Sequence, residues 1–383
     1  MELSKKVSIM VISILVVFPL FAWEKYYGTV ADDYGNSVCE DFGDGGYLIG
    51  GTTMYSENNF DAFLVSVNHD GVIEWNYNYG SPESLEILYD IVQTGDGGFI
   101  ACGEVWPFQT FFEQCQKGFI LKTDGAGNKE YIFHKLEGFR TYSSFTYLLS
   151  SSKITLTGWV KTGLPGSPVY KVLWRQYTVG AKIFGPGQEG EDSTYLIDGH
   201  QHAEGHCIQK ITNGYIIAGE IWQENVGGTG LQNCDVYLIR TDEYGSALQQ
   251  LKIGEIDKDE IGYYVKPTFD GGCIITGGVW SNSSFGWNIY LTKIKINQWG
   301  QFTKEWERSY GGIKDDVGFG VQQMPDSGYI ICGTSQSFSA DGRDEIYFLR
   351  VDKYGNKLFE RTFGNPRFYC YGSSVKLTSD GGY

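Results

Sequence analysis

The densest group of chemically capable side chains is His200-Gln-His202-Ala-Glu204-Gly-His206, which holds three of the chain's five histidines. Imidazole and carboxylate donors this close together can ligate Zn²⁺ or a similar metal ion. The segment matches no named metal motif, and a solvated loop with incidental histidines is the competing reading. It falls in the longest insertion between copies of a repeat that runs through the chain. Acidic pairs recur just before the first, innermost strand of a repeat, at Asp32-Asp33, Glu191-Asp192, Asp259-Glu260 and Asp315-Asp316. Crowded together, such carboxylates can hold Ca²⁺ or another hard cation. Two of them in a shared field can also divide general acid from general base by separating their pKa values. Loop capping and solvation form the simpler account. Trp106, Trp222 and Trp280 each stand three residues after a repeated glycine. Their flat faces suit sugar rings, although packing between neighbouring repeats explains a recurring tryptophan more simply. Phe108, Phe111 and Phe112 share one stretch and fit repeat packing less well, so an exposed cluster there points to a partner site. No nucleophile elbow, phosphate loop, dinucleotide fingerprint or zinc-protease helix is present.

A repeat must position these residues. One phrase returns as Asp44-Gly-Gly-Tyr-Leu-Ile-Gly-Gly, Asp96-Gly-Gly-Phe-Ile-Ala-Cys-Gly, Thr212-Asn-Gly-Tyr-Ile-Ile-Ala-Gly, Asp270-Gly-Gly-Cys-Ile-Ile-Thr-Gly and Asp326-Ser-Gly-Tyr-Ile-Ile-Cys-Gly, with a worn copy at Lys153 to Gly158 and a last one at Asp380-Gly-Gly-Tyr. A second phrase follows it, an alternating strand ending in Asp-x-x-Gly or Asn-x-x-Gly, as at Asn68 to Gly71, Asp124 to Gly127, Asp242 to Gly245 and Asp352 to Gly355. Asp-Gly-Gly is a hairpin signal, and Asp or Asn opening a turn can accept from the backbone two residues on. Each copy, roughly 55 residues long, therefore predicts four strands, A to D, with tight A–B and C–D turns.

Four-stranded units at this period predict an all-β propeller, most simply of seven blades with the last truncated at the C-terminus. The expected division is a signal peptide over 1–22 and a single propeller over 23–383. Its repeats fall near 31–80, 85–137, 142–184, 203–254, 260–311, 315–364 and a partial 370–383, with 23–28 as a closing outer strand. In such a ring the A–B and C–D turns share one end, and the B–C and D–A connections share the other. The B–C connections differ in length and sequence, as a recognition surface on a rigid frame does. The Asp-Gly-Gly aspartates are the poorest candidates for chemistry, because a residue present in nearly every blade belongs to its turn.

The Trp-x-x-x-Tyr-Gly, Asp-Gly-Gly-Tyr-Ile-Ile-Ala-Gly and Asp-x-x-Gly cycle resembles that of a group of secreted microbial repeat proteins, over nearly everything after residue 23. The Asp-x-x-Gly-x-x-x-aromatic phrase (Asn68, Gly71, Trp75; Asp352, Gly355, Phe359) is also similar to the tryptophan-docking motif of quinoprotein dehydrogenases. That resemblance implies propeller architecture. It does not imply a quinone, since no two cysteines are adjacent here, and fold analogy alone carries no function.

Composition narrows the function. With 52 Gly, 27 Tyr and 23 Phe, the chain suits many aromatic strands joined by glycine turns. A net charge of −16 opposes binding to nucleic acid. Lys5 and Lys6, then an apolar run from Val7 to Leu20 and Phe21-Ala22, read as an export signal, and no later apolar run is long enough to span a membrane. Cys39, Cys102, Cys207 and Cys332 recur at strand positions as small hydrophobes, which leaves Cys115, Cys234 and Cys370 as the better disulfide candidates. The expectation is a secreted or cell-surface monomer that binds a glycan or a cell-surface protein, with no required cofactor beyond a Ca²⁺ or Zn²⁺ the acidic and histidine clusters could take. The alternatives are a polysaccharide-active hydrolase or lyase using carboxylates beside the tryptophans, and a quinone- or metal-dependent oxidoreductase.

Overall fold

A computed structural model describes residues 11–12, 25–28, 33–41, 43, 45–56, 59–107, 117–134, 140–148, 153–164, 167–178, 191–195, 202–222, 234–255, 257–281, 286–339, 342–364, 369–379 and 381–383. The expected signal peptide lies outside these residues except for Val11–Ile12, a short strand that pairs with Lys25–Tyr26. No described helix is long and apolar enough to cross a membrane.

Among the described residues six four-stranded antiparallel sheets follow one another, each in simple sequence order. Their innermost strands are Asp33–Glu40, Ser84–Gln93, Arg140–Leu148, His202–Ile211, Lys258–Pro267 and Asp316–Gln323. The second strands run Tyr47–Ser56, Phe99–Pro107, Lys153–Leu164, Gly214–Trp222, Cys273–Ser281 and Tyr329–Ser335. Where side chains are described, these second strands are buried almost throughout, and outer strands such as Ile73–Asn78 and Lys357–Phe363 are largely exposed. The core therefore lies between blades. Ile216, Ala218 and Leu238 of the fourth blade, for example, pack with Val265, Ile275 and Ile294 of the fifth.

The turns form as their sequences require. Asp96, Asp270 and Asp326 each accept the backbone N–H two residues on, from Gly98, Gly272 and Gly328. A basic residue of the third strand reaches each of these carboxylates: Lys122 at 3.1 Å, Lys293 at 2.9 Å and Arg350 at 2.6 Å. The carboxylates are thus spent on structure: burial opposes ionisation of Asp270, and the Thr268 hydroxyl, Lys293 and the Gly272 N–H together hold it down at about 2. At the other tight turn, Asn68, Asp124, Asp242, Asn297 and Asp352 each accept two backbone N–H groups.

Tyrosines join the blades. Tyr79 at the outer edge of the first blade donates its hydroxyl to the carbonyl of Gly127 in the second, at 2.7 Å. Tyr195 does the same to Gly245 and Tyr310 to Gly355, both at 2.6 Å. Tyr27, from the stretch expected to form a closing strand, makes this bond to Gly71 of the first blade at 2.7 Å.

The seventh copy of the repeat does not make a seventh blade. A blade needs four paired strands, and here the described residues of 369–383 belong to no paired strand. Its Thr378–Gly382 turn closes as the others do, with Thr378 N–H donating to Gly382 at 3.0 Å. Cys370 N–H donates to the Asp344 carbonyl at 2.8 Å, the same contact that Asp316 makes to Trp287 one blade earlier. On the other side Ser379 bonds to Glu40 of the first blade. The segment thus takes the place of an innermost strand between the sixth and first blades, with Tyr383 stacked on Phe348 at 5.2 Å. The architecture is a six-bladed propeller rather than the seven-bladed one expected.

Replacing Tyr79 with Phe leaves the buried Gly127 carbonyl without its donor. The expected cost is about 1–3 kcal/mol, read as a lower chemical-denaturation midpoint at unchanged slope.

Candidate functional site

Each innermost strand carries a β-bulge at the same place. The extra residues are Asn36, Tyr89, Ser143, His206, Tyr263 and Phe319. A bulge re-aims the side chain it inserts, and in this ring it brings neighbouring blades together at the axis. The His206 and Tyr263 rings meet at a tilt with centroids 5.3 Å apart, and Tyr263 and Phe319 do the same at 5.2 Å. The Tyr89 hydroxyl donates to Glu104 at 2.6 Å.

The fourth blade concentrates the chemistry on this inner wall. His202, Glu204 and His206 are not in a solvated loop but on its innermost strand, His202–Ile211. The pairing of Glu204 opposite Glu220 brings a second carboxylate to the group. Ligand atoms of His202, Glu204 and Glu220 all lie within 4.8 Å of one another. His202 Nε2 is 2.9 Å from Glu204 Oε1. Glu220 accepts the Trp222 indole N–H at 2.9 Å on Oε1, and its Oε2 faces the Cys234 thiol at 3.8 Å. His206 Nε2 is 3.6 Å from Glu220 Oε2, an ion-pair separation too long for a hydrogen bond, and this buried nitrogen has no hydrogen-bond partner. Burial opposes charge on His206, but Glu220 and Glu204 outweigh it and raise its pKa. Burial likewise works against ionised Glu220, which His206 and Trp222 hold below the usual carboxylate range. His200 lies outside the described residues.

The other expected residues are dispersed. Trp106, Trp222 and Trp280 end second strands, half-buried, opposite Leu85, His202 and Asp259. Asp259 accepts the backbone N–H of Cys234 at 3.0 Å, and Asp315 that of Trp287 at 2.9 Å, so both stitch one blade to the next. Asp316, fully buried, accepts Gly312 N–H at 2.8 Å and the Ser337 hydroxyl at 2.6 Å. Asp33 is buried at the start of its strand. Glu191 and Asp192, expected just before an innermost strand, instead begin the outer strand of the third blade, Glu191–Tyr195. Asp32, Phe108, Phe111, Phe112 and Cys115 lie outside the described residues. Cys234 and Cys370, expected as disulfide candidates, are buried and form no disulfide among the described residues.

Two features escaped the sequence reading. Tyr244, Phe269, Trp299 and Tyr354 stand 57–75% exposed on the tight-turn end, opposite the irregular connections. The second is a buried acidic pair on the seam between the fourth and fifth blades. Asp235 Oδ1 and Glu260 Oε2 both lack a hydrogen-bond partner. Both face Gly254, where a Cβ would lie 1.8 Å from the first and 2.9 Å from the second. Lys252 takes the other oxygen of Asp235 at 2.8 Å. Burial, reinforced by Asp235, pushes Glu260 up to about 8, so Glu260 carries a proton at neutral pH.

No protein-family model matches the chain, and no curated protein matches it. Among solved structures it is similar to a protein of unknown function from Dyadobacter fermentans, at 10% identity and TM-score 0.48 over 93% of this chain and 98% of that one. A variant of the Synechocystis apocarotenoid oxygenase aligns at 9% identity and TM-score 0.43, over 73% of this chain and 62% of that one. An endo-arabinanase from Bacillus licheniformis aligns at 11% identity and TM-score 0.34, over 72% of this chain and 99% of that one. Likeness this distant transfers no residue role.

Because the folded-state pKa of Glu260 is raised, its stabilising contribution is complete below the ordinary value of 4.5 and is lost as pH rises through about 8. Wild type should therefore lose stability between about pH 5 and pH 9 relative to Glu260→Gln, as thermal melts across that range will read.

Proposed function

We propose that the protein is an exported, ligand-binding propeller whose recognition surface is the end carrying the B–C and D–A connections. One observation supports this reading. The tight-turn end repeats the same side-chain-to-backbone bonds in five blades, whereas at the opposite end the residues at equivalent places change. There Trp106 stands opposite Leu85, Trp222 opposite His202 and Trp280 opposite Asp259. A frame held constant at one end and varied at the other is how a rigid scaffold presents binding groups. Half-buried tryptophans beside carboxylates suit a glycan or the surface of a cell-surface protein, since an indole offers an apolar face and one N–H donor.

Glycan arrays and pull-downs with the whole chain test the reading. Trp106→Ala and Trp280→Ala should each weaken a captured ligand by about tenfold or more, while Trp299→Ala and Tyr354→Ala on the tight-turn end leave it unchanged. Loss of binding confined to the Trp299 and Tyr354 variants would place recognition on the wrong end and overturn the proposal.

A further inference from the structure

We propose that His202, Glu204 and Glu220, with His206 as a fourth donor, form a divalent transition-metal site on the axial wall of the fourth blade. The site does not depend on what the loop end binds.

Geometry carries the argument. Two donors each about 2.1 Å from a shared ion are separated by at most about 4.2 Å, and by about 3.4 Å in a tetrahedral site. The three ligand atoms, all within 4.8 Å of one another, lie within about 1.4 Å of that tetrahedral spacing, a distance that small side-chain rotations cover. They sit on paired strands, with Glu204 directly opposite Glu220, so the backbone ladder sets their approach and little freedom is lost on binding. His206 Nε2 is a buried atom that makes no hydrogen bond among the described residues, and its one close contact there is the ion pair with Glu220 Oε2 at 3.6 Å, which places it as a donor beside the same carboxylate.

The surroundings resemble an outer coordination layer. Trp222 N–H fixes one oxygen of Glu220 at 2.9 Å and leaves Oε2 toward His206. The Trp222 ring also lies 6.0 Å from that of His202, and Tyr263 braces the other face of the group through His206 at 5.3 Å. Bonds of this kind orient ligating side chains. Donor type selects the ion: two imidazoles and two carboxylates favour Zn²⁺, Co²⁺ or Ni²⁺ over Ca²⁺, which takes six or more oxygens.

The test uses the whole purified chain without a histidine tag, dialysed against chelator and titrated calorimetrically with Zn²⁺, Co²⁺ and Ca²⁺. One Zn²⁺ or Co²⁺ per chain is expected, with a visible Co²⁺ absorption and little Ca²⁺ uptake. Glu220→Gln and His202→Ala should each weaken Zn²⁺ by at least about 10–100-fold, the loss that changes to the supporting residues alone produce, whereas His69→Ala, on a tight turn of the first blade, should leave it unchanged. Circular dichroism shows whether each variant folds. Should one fail, the milder Glu204→Gln and the Zn²⁺-induced rise in wild-type Tm carry the same test. Absence of Zn²⁺ and Co²⁺ uptake by folded wild type, or equal affinity in folded variants, would overturn the assignment.

Discussion

The propeller depends on one close approach. In five blades the glycine that closes the strand-B phrase lies against a carbonyl of the innermost strand. A Cβ would sit 1.9 Å from that oxygen at Gly51 and Gly103, 1.8 Å at Gly219 and Gly277, and 2.0 Å at Gly333. No side chain fits there. Each glycine pairs with the residue just before the bulge, as Gly219 does with Gly205 and Gly277 with Gly262. The missing side chain lets the inner strand carry an extra residue without leaving the sheet, and that residue turns to the axis.

From this follow both the ring and its contents. Bulged residues of adjacent blades touch, as His206, Tyr263 and Phe319 do in series, while tyrosines clasp the outer edges through the glycine turns. Inner and outer contacts together fix each blade against the next. The fourth blade exploits the frame by placing His202, Glu204 and Glu220 where the ladder holds their donors together. Elsewhere the carboxylates are consumed by structure. Asp259 and Asp315 stitch seams, and Asp96, Asp270 and Asp326 hold turns.

Much of this was legible in the residues. Asp-Gly-Gly and Asp-x-x-Gly have a direct backbone mechanism, so the turns, strands and four-stranded unit could be read one by one. The blade total could not, because a copy of the turn phrase at Thr378–Gly382 forms its turn without a sheet beside it. His202, Glu204 and His206 stood out by proximity, but their placement in a loop was wrong, since alternation on a strand interrupted by a bulge has no clean period. Glu220 was missed because only cross-strand register joins it to Glu204. The recurring Gly-Glu step, Gly103-Glu104 and Gly219-Glu220, was the available signal. In the worn third blade the turn phrases are lost, and Glu191 and Asp192 were accordingly expected before an innermost strand rather than on an outer one.

The most direct test of the central constraint is the stability of Gly219→Ala by chemical denaturation. With the new methyl placed 1.8 Å from the Glu204 carbonyl oxygen, a loss of at least about 2 kcal/mol is expected, because inserted volume must push the strands apart. A change within about 0.5 kcal/mol would mean that the strands do not approach as described, and the account of how the inner wall is built would fail.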